Sequence, residues 1–356
     1  MGPSPMNQPF VTGSISTRVG VLPQVSPSLT WADRLGAFKA RWGMGRMHYT
    51  VEPGLYALGN PDDKSPVLVA ANYKMSFDRL REALPGKDAW ILVLDTKGIN
   101  VWCASGKGTF GTTELVSRIQ STGLDQIVSH RELILPQLSG PGVAAHLVKK
   151  LSGFKVIYGP IRAKDLPAFF EKGLKATPEM RRKTFTTWER MVLVPVEIVG
   201  ALKPSLIILP ILFLLAFLAR AGEGSTRAAH HGLFSVGAML VAIISGAVLT
   251  PLLLPWLPGR AFSLKGAIVG FLAALALFSS SWGNWTAVGG RLEILSWLLL
   301  IPAVSAFLAM SFTGASTYTS LSGVRKEMRW ALPLQIGAGI LGFVLWIGSH
   351  LVGKGV

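Results

Sequence analysis

Residues 100–111 read Asn-Val-Trp-Cys-Ala-Ser-Gly-Lys-Gly-Thr-Phe-Gly and hold Cys103, the only cysteine among 356 residues. They follow an apolar, strand-like run and carry the signal of a helix start. If Asn100 is the N-cap, its side chain accepts a hydrogen bond from a free amide of the first turn. Cys103 then lies in that turn, where the positive end of the helix favours a thiolate over a thiol.

The residues one turn further on shape the surroundings of this sulfur. Lys107 lies four residues after Cys103, hence on the same helical face, and its positive charge also favours the thiolate. Gly106 shares that face and has no side chain. The pattern predicts a lone sulfur beside a flat clearing, suited to a large planar partner. Composition alone leaves a second interpretation open, because a lone cysteine at a strand–helix junction is often a small buried hydrophobe.

The glycines of the same stretch also allow a nucleotide-binding interpretation. Gly106, Gly108 and Gly111 match the dinucleotide-binding spacing, after a strand and before a helix. The acidic residue expected near the end of the following strand has no good candidate, because Glu132 stands at the start of that strand. A phosphate loop does not fit, since the position five residues before the Gly-Lys pair is Val101 rather than glycine.

Residues 100–107, Asn-Val-Trp-Cys-Ala-Ser-Gly-Lys, resemble the cap-helix signature of the membrane-bound corrinoid protein of mercury methylation in anaerobic bacteria and archaea, a mercury methyltransferase. The similarity extends over nearly the whole chain. A further likeness, to the corrinoid-binding domain of the corrinoid iron-sulfur protein large subunit, covers about residues 62–175. The resemblance implies that Cys103 is the lower axial ligand of the cobalt in a cobalamin-type corrinoid.

The reaction that this resemblance implies is methyl transfer from a methyl-folate-type donor, via methylcobalt(III), to mercury(II), giving methylmercury. A soft, anionic sulfur under cobalt donates more electron density than a histidine nitrogen, which favours release of the methyl group to a soft metal ion. The family obtains electrons from a small ferredoxin-like protein with two four-iron clusters. A chain with one cysteine cannot hold such clusters itself.

Around the cap-helix stretch, apolar runs alternate with helical patterns through short connections. This alternation predicts a mainly parallel, doubly wound sheet with helices on both faces, a Rossmann-like α/β fold. Ligands of such sheets bind where loops leave the carboxyl ends of the strands. The predicted strands are 67–72, 90–94, 132–136 and 155–158, and the predicted helices are 77–84, 114–119, 143–151 and 166–174.

Three loops at strand carboxyl ends complete the predicted cofactor site: residues 72–74, 137–143 and 158–160. Their glycines would let the backbone approach a macrocycle, and their amide and hydroxyl groups would bond its side arms. Each glycine taken singly fits an ordinary turn equally well. The predicted corrinoid-binding residues are Asn72, Tyr73, Asn100, Val101, Trp102, Cys103, Ala104, Gly106, Lys107, Gly108, Gln137, Ser139, Gly142, Val143 and Tyr158.

Composition divides the chain into a soluble part and a much more apolar part behind it, and with the patterns and the resemblance above we predict four segments. Residues 1–30 are rich in Pro, Ser, Gly and Thr and are predicted to be a disordered leader. Residues 31–180 are predicted to form a cytoplasmic corrinoid-binding domain, 181–204 a basic interfacial linker helix, and 205–356 an all-α transmembrane domain of five helices. Within the soluble part, residues 31–47 predict an amphipathic helix packed on the domain, with contact to the membrane or a partner as the alternative.

Five apolar segments are each near the ~20 residues needed to cross hydrocarbon. Five crossings put the termini on opposite sides, and the positive-inside rule assigns the basic groups at 181–183 and 325–329 to the cytoplasm. We therefore predict a multi-pass protein of the inner (cytoplasmic) membrane with a cytoplasmic N-terminal domain. Few charges lie inside the spans, which argues against a proton or ion relay. The predicted spans are 205–218 with part of the preceding segment, 233–254, 264–281, 294–312 and 331–351.

The net charge of +16 is scattered along the chain. Because many basic residues flank apolar spans, a lipid bilayer explains the charge better than nucleic acid does. Two other functions stay open at this point. One is a membrane-anchored corrinoid carrier or sensor with a different native methyl acceptor. The other is a transporter with a regulatory nucleotide domain.

Overall fold

The structure is a computed structural model that describes residues 6–279, 288–316 and 321–352. By their internal contacts, the residues divide into two compact units. One comprises Met1–Ala40 and Met44–Lys183, and the other comprises Arg41–Gly43 and Thr184–Val356. The first unit is a mixed α/β sheet domain and the second is helical, which is the predicted order of the two parts.

The strands of the first unit form one sheet. They are β1 (Val11–Thr17), β2 (Gly20–Val25), β3 (Gly54–Leu58), β4 (Val67–Ala71), β5 (Ala89–Leu94), β6 (Glu132–Leu135) and β7 (Lys155–Tyr158). Their order in the sheet is β1-β2-β3-β5-β4-β6-β7. Strands β5, β4, β6 and β7 run parallel to one another, which confirms the predicted parallel core. Strand β3 runs antiparallel to β5 and extends the sheet towards the N-terminal hairpin.

Helices cover both faces of this sheet. They are α1 (Trp31–Arg41), α2 (Lys74–Glu82), α3 (Val101–Lys107), α4 (Thr112–Thr122), α5 (Leu124–Ile127), α6 (Ala145–Ser152) and α7 (Leu166–Glu171). Successive residues of a strand point to opposite faces, so Leu68 and Val69 of β4 enter two different apolar clusters. Val69 shares its cluster with Phe110, and Leu68 shares the other with Phe169. Both faces are therefore buried, as a parallel sheet requires.

The prediction of a disordered leader is wrong for residues 11–25. They form the hairpin β1–β2, and β2 joins the main sheet by pairing in parallel with β3 through Val25 and Leu58. Val25 is buried, whereas the outward positions of β1 carry the Ser and Thr residues that gave the segment its polar composition. A strand at the sheet edge buries only part of its surface, and its composition therefore resembled that of a linker.

The predicted helix at residues 31–47 is present as α1, but its apolar stripe faces outward. Its buried residues are Asp33 and Ala40, whereas Trp31 and Leu35 are exposed. The prediction that the apolar face packs on the domain is wrong. The physical reason is an ion-pair network that binds Asp33 to α2 and thereby fixes the rotation of α1 about its axis.

The second unit contains, among its described residues, α8 (Thr187–Met191), α9 (Val194–Ala219), α10 (Ser225–Ile244), α11 (Thr250–Leu253), α12 (Phe262–Ser279), α13 (Val288–Ser311) and α14 (Leu321–Val352). Five stretches of it are long and apolar enough to cross a membrane, by length and composition. They cover Thr187–Ala219, Ser225–Leu253, Phe262–Ser279, Val288–Gly314 and Ser322–Val352, in agreement with the five predicted segments. Residues 280–281 of the predicted third span lie outside the described residues.

The predicted linker 181–204 does not end at Pro204. Helix α9 runs from Val194 through Pro204 and Pro210 to Ala219, so the linker region and the first predicted span share one helix. Proline is tolerated inside a helix of a bundle where neighbouring groups satisfy the freed carbonyls. Ahead of α9, Thr186 and Glu189 form a reciprocal capping box that starts α8.

Candidate functional site

The strand order defines one edge of the sheet as the place for a ligand. From β4 the chain moves to β5 on one side and then returns to β6 on the other side of β4. The crevice between the carboxyl ends of β4 and β6 is therefore a topological switch point, where open α/β sheets bind their ligands. Helix α3 follows β5 and packs against the turn Gln137–Ser139 that follows β6. The cap-helix stretch thus lies over this edge.

The start of α3 has the predicted capping geometry. Asn100 has an extended backbone, and its Oδ1 accepts a hydrogen bond of 3.0 Å from the backbone N–H of Cys103. Cys103 is a free, half-buried cysteine in the first turn. The helix ends at Gly108, whose φ of 81° is a left-handed conformation that glycine adopts without strain. The prediction that Asn100 is the N-cap is confirmed.

One side of α3 is buried in the domain and the other side is exposed. Ala104 and Ser105 are buried, and the Ser105 hydroxyl donates to the carbonyl of Val101 at 2.7 Å. Trp102, Gly106 and Lys107 are exposed. A Cβ atom placed on Gly106 would meet no described atom within 4 Å. The surface of α3 next to Cys103 is therefore an open clearing.

The nucleotide-binding interpretation does not match this geometry. A dinucleotide fingerprint places its glycines in the turn between a strand and the N-terminus of a helix. Here Gly106 lies inside α3 and Gly108 ends it. Gly111 is the N-cap of α4, so the three glycines do not share one turn. The free amides of α3 are at the other end of the helix, beside Cys103.

Asn72 supports the turn that leads into α3. Its side-chain oxygen accepts hydrogen bonds from the backbone N–H of Thr96 at 3.1 Å, the Thr96 hydroxyl at 2.8 Å and the N–H of Gly98 at 3.0 Å. The residue is buried. Asn72 was predicted to bond a macrocycle side arm, but its oxygen already holds the β5–α3 turn. In this structure the Asn72 oxygen holds the turn that leads into the helix of Cys103.

The loop after β6 contains one polar group that is not used by the fold. Gln137 Oε1 is buried and accepts no hydrogen bond from the described residues. A buried amide oxygen without a donor costs about 1–3 kcal/mol, so a ligand that donates to it gains affinity. Ser139 differs, because its buried hydroxyl donates to the carbonyl of Pro136 at 2.8 Å. The predicted ligand role therefore fits Gln137 better than Ser139.

Gly142 and Tyr158 hold the same loop against its neighbours. A Cβ on Gly142 would lie 2.2 Å from the carbonyl oxygen of Phe110 and 3.0 Å from the Cα of Ser105. The close approach at Gly142 is thus to α3 and its following turn. The Tyr158 hydroxyl donates to the carbonyl of Val143 at 2.7 Å, and burial raises the pKa of Tyr158. Both residues shape the crevice by fixing its walls.

Charged groups flank the turn before α3. The Lys97 ammonium pairs with the Asp95 carboxylate, while the Asp95 backbone N–H donates to Glu114 Oε1 at 2.9 Å. Burial disfavours the charged form of Asp95, but the hydrogen bonds from Lys97 outweigh burial and lower the pKa of Asp95. The carboxylate of Glu114 also forms an ion pair with the Arg118 guanidinium, at 2.7 Å. The carboxylates near α3 are thus compensated within the domain.

Tyr73 is the remaining predicted residue of this edge. It is buried and precedes α2 as its N-cap residue, and the Arg46 guanidinium lies 5.9 Å from the centre of its ring. The structure thus brings the predicted residues after β4, β5, β6 and β7 to one edge of the sheet. Among these residues, Asn72, Ser139 and Val143 form hydrogen bonds within the protein, and Gly142 lies close to the backbone of Phe110 and Ser105.

The second unit contains a polar cluster that was not predicted from the sequence. His231 Nδ1 lies 3.7 Å from Glu293 Oε1, and the rings of His231 and His350 have centroids 6.3 Å apart. They belong to α10, α13 and α14, which are far apart in sequence. Ionisable residues within apolar helices are often functional, so these three positions could have been identified from the sequence. No group of three or more His, Cys, Asp or Glu among the described residues could hold a metal ion. A cavity of about 260 Å³ beside them is lined by His230, His231, Phe234, Phe278, Gly290, Glu293 and Ile294.

Comparisons with known proteins agree with the site in the first unit. Residues 27–170 match the family model of the CO dehydrogenase/acetyl-CoA synthase delta subunit. This range contains α3 and the three predicted loops at residues 72–74, 137–143 and 158–160. The match supports a corrinoid-binding domain in this part of the chain.

Individual relatives are similar to about a third of the chain. An acetyl-CoA decarbonylase/synthase complex subunit gamma of Methanopyrus kandleri is 35% identical over 127 residues, which is 34% of this chain and 26% of the relative. The subunit of the same name from Archaeoglobus fulgidus is 31% identical over 127 residues, with the same coverage of both chains. This chain thus spans about a quarter of the length of these relatives. Their names do not mention mercury.

Proposed function

We propose that this protein is a corrinoid-dependent methyltransferase that passes a methyl group from a methyl-folate-type donor to mercury(II), with the Cys103 thiolate as lower axial ligand of the cobalt. The proposal rests on the geometry of α3. A capped helix presents the chain's one thiol at the switch-point edge, beside a clearing at Gly106 and inside the region of the family match. The octapeptide at residues 100–107 supports mercury as the acceptor.

The residues at this edge fit a large planar cofactor. Gly106 and Gly108 carry no side chains, and the space beside them is open, so a macrocycle could approach this part of α3 closely. Gln137 Oε1 is a buried acceptor in need of a donor, and corrinoid side arms carry amide N–H groups. Cys103 is half-buried, which leaves its sulfur accessible from one side. A bound corrinoid would supply a cobalt centre that accepts and releases a methyl group.

The protein's own contribution is to present and hold the sulfur. The hydrogen bond from the Cys103 amide to Asn100 fixes the first turn, and the bonds that Asn72 accepts from residues 96–98 fix the turn before it. The N-terminal end of α3 favours a negative charge on the thiol. A soft thiolate ligand increases electron density at cobalt, and mercury(II) is a soft acceptor.

Partners and location follow from the same proposal. The chain has one cysteine, so the electrons would come from a separate, small ferredoxin-like protein with two four-iron clusters. The five apolar helical stretches support a place in the inner membrane, with the α/β unit in the cytoplasm.

Cys103→Ala tests the axial role in the full-length protein loaded with corrinoid. We expect the visible spectrum of the bound corrinoid to change and methylmercury production by cells carrying the variant to fall to background. The control is Ser105→Ala, which removes a buried hydroxyl of the same helix that bonds only Val101. Undiminished methylmercury output from Cys103→Ala would falsify the catalytic role.

The same experiment distinguishes the alternative of a membrane-anchored corrinoid carrier or sensor. In that case the spectrum still depends on Cys103, but cells with the unaltered protein produce no methylmercury. A colourless protein that binds labelled nucleotide would point to the nucleotide-regulated transporter instead.

A further inference from the structure

Helix α1 presents its large apolar side chains to the outside of the α/β unit. Trp31 is 76% exposed, Leu35 38% and Phe38 54%. They are spaced at i, i+4 and i+7 and so form one stripe along the helix. A soluble domain normally turns such a stripe inward. In α1 the large apolar side chains face outward instead, and Asp33 faces inward.

The inward face of α1 is fixed by contacts that do not allow the helix to rotate. Asp33 Oδ1 lies 2.7 Å from Lys74 Nζ, and its Oδ2 lies 2.7 Å from the Arg81 guanidinium. A Cβ on Gly36 would lie 2.6 Å from the Tyr49 ring. Turning the apolar stripe inward would break two buried ion pairs and force a side chain into that ring. The outward stripe is therefore a constant feature of the folded unit.

The stripe is flanked by positive charge. Arg34 and Lys39 are both exposed on α1, beside Leu35 and Phe38. Exposed apolar residues with a tryptophan and flanking basic residues are the composition of helices that lie in the headgroup region of a bilayer. Basic residues near such a surface are attracted by anionic lipids.

The chain itself connects α1 to the helical unit. Arg41, the last residue of α1, and the next two residues group with that unit, where Gly43 lies beside Val199 of α9. Val199 belongs to the first stretch that is long and apolar enough to cross a membrane. The residues that follow α1 along the chain therefore group with the unit that carries the apolar stretches.

We propose that the outward face of α1, formed by Trp31, Leu35 and Phe38 with Arg34 and Lys39, binds the anionic surface of the lipid bilayer. The contact would anchor the α/β unit at the membrane independently of the spanning helices. It does not depend on the cofactor or the methyl acceptor.

Photo-crosslinking of the full-length protein tests this contact. A diazirine analogue of leucine replaces Leu35 in protein reconstituted into nanodiscs of phosphatidylcholine and phosphatidylglycerol. The matched control carries the analogue at Leu147 of α6, an apolar residue of the same unit with 40% exposure. We expect lipid adducts at position 35 in severalfold higher yield than at position 147, measured by mass spectrometry. Equal yields, or adducts of position 35 with another protein chain, would overturn the proposal.

The anionic character of the surface is tested by changing charge on either side. Lipid adducts at position 35 should fall severalfold in nanodiscs of phosphatidylcholine alone, and also in the double variant Arg34→Gln/Lys39→Gln. The matched double variant Lys149→Gln/Lys150→Gln removes two exposed charges from α6 and should leave the yield unchanged. A yield that is indifferent to lipid charge and to Arg34 and Lys39 would contradict an anionic surface.

Discussion

At the scale of single residues, Gly106 and Gly142 respond to different surroundings. A side chain on Gly106 would enter open space, and leucine is a better helix former than glycine, by somewhat less than the ~0.8–1 kcal/mol that separates alanine from glycine. We expect Gly106→Leu to leave the unfolding temperature of the unloaded protein unchanged or slightly higher, while blocking corrinoid uptake. Normal corrinoid loading of this variant would show that the macrocycle binds elsewhere.

Gly142→Ala is the contrasting substitution. Its methyl group would lie 2.2 Å from the Phe110 carbonyl oxygen, so the loop after β6 must move away from α3. Overpacking of this kind costs about 1–3 kcal/mol. We therefore expect Gly142→Ala to lower the unfolding temperature of the protein even when no corrinoid is bound. Of these two glycine variants, only Gly106→Leu separates the effect on corrinoid loading from the effect on stability.

Gln137 gives a second prediction at this scale. Gln137→Met keeps the volume of the side chain and removes a buried oxygen that has no donor among the described residues. The unloaded protein should be as stable as the unaltered one or more stable. Corrinoid affinity should fall about tenfold if one hydrogen bond of ~1.4 kcal/mol is lost. Denaturation of the unloaded protein measures its stability, and titration with corrinoid measures the affinity, each against a Ser139→Ala control. Unchanged affinity of Gln137→Met would exclude a ligand role.

At the scale of elements, the joint between α1 and α2 is a buried network of four charges. Lys74 Nζ lies 2.7 Å from Asp33 and 2.6 Å from Asp78, and Arg81 contacts the same two carboxylates. Removing one partner of a buried pair leaves the other without compensation and costs about 3–5 kcal/mol. We expect Asp33→Asn to lower the free energy of unfolding by this amount. Glu82→Gln, which breaks an exposed pair with Arg79, should cost at most about 1 kcal/mol.

The same joint sets a pH dependence. Burial disfavours the charged form of Asp33, but hydrogen bonds from Lys74 and Arg81 outweigh it and hold the pKa well below the ordinary value of 3.8. A carboxyl with a lowered pKa contributes stability above its ordinary pKa and loses it as the pH falls through the folded-state pKa. The difference in unfolding free energy between the unaltered protein and Asp33→Asn should therefore shrink below pH 3.8. A difference that is constant down to strong acid would contradict this origin.

At the scale of the whole molecule, the five apolar stretches predict opposite sides for the α/β unit and the end of α14. A fluorescent protein fused after Lys183 should fluoresce, because it folds in the cytoplasm. An alkaline phosphatase fused after Val352 should be active, because it folds on the opposite side. Active phosphatase at Lys183, or inactive phosphatase at Val352, would reverse the orientation or change the number of crossings.

The sequence by itself determined the features that depend on neighbours along the chain. Alternating apolar runs predicted β4 to β7, and Asn100 predicted the start of α3, because capping and strand burial are local. Segment length and apolarity predicted five helical stretches. The family likeness of the octapeptide then directed attention to Cys103.

Only the tertiary structure decided which groups meet. The Asn72 oxygen is bonded to the β5–α3 turn, and Gln137 Oε1 has no donor among the residues that the structure describes. Such hydrogen-bond partners come from parts of the chain that are distant in sequence. The rotation of α1 followed from Asp33 and its ion pairs with α2, which periodicity cannot reveal. His231, Glu293 and His350 come together for the same reason. Local patterns specify elements, whereas burial and pairing across the fold assign each side chain its role.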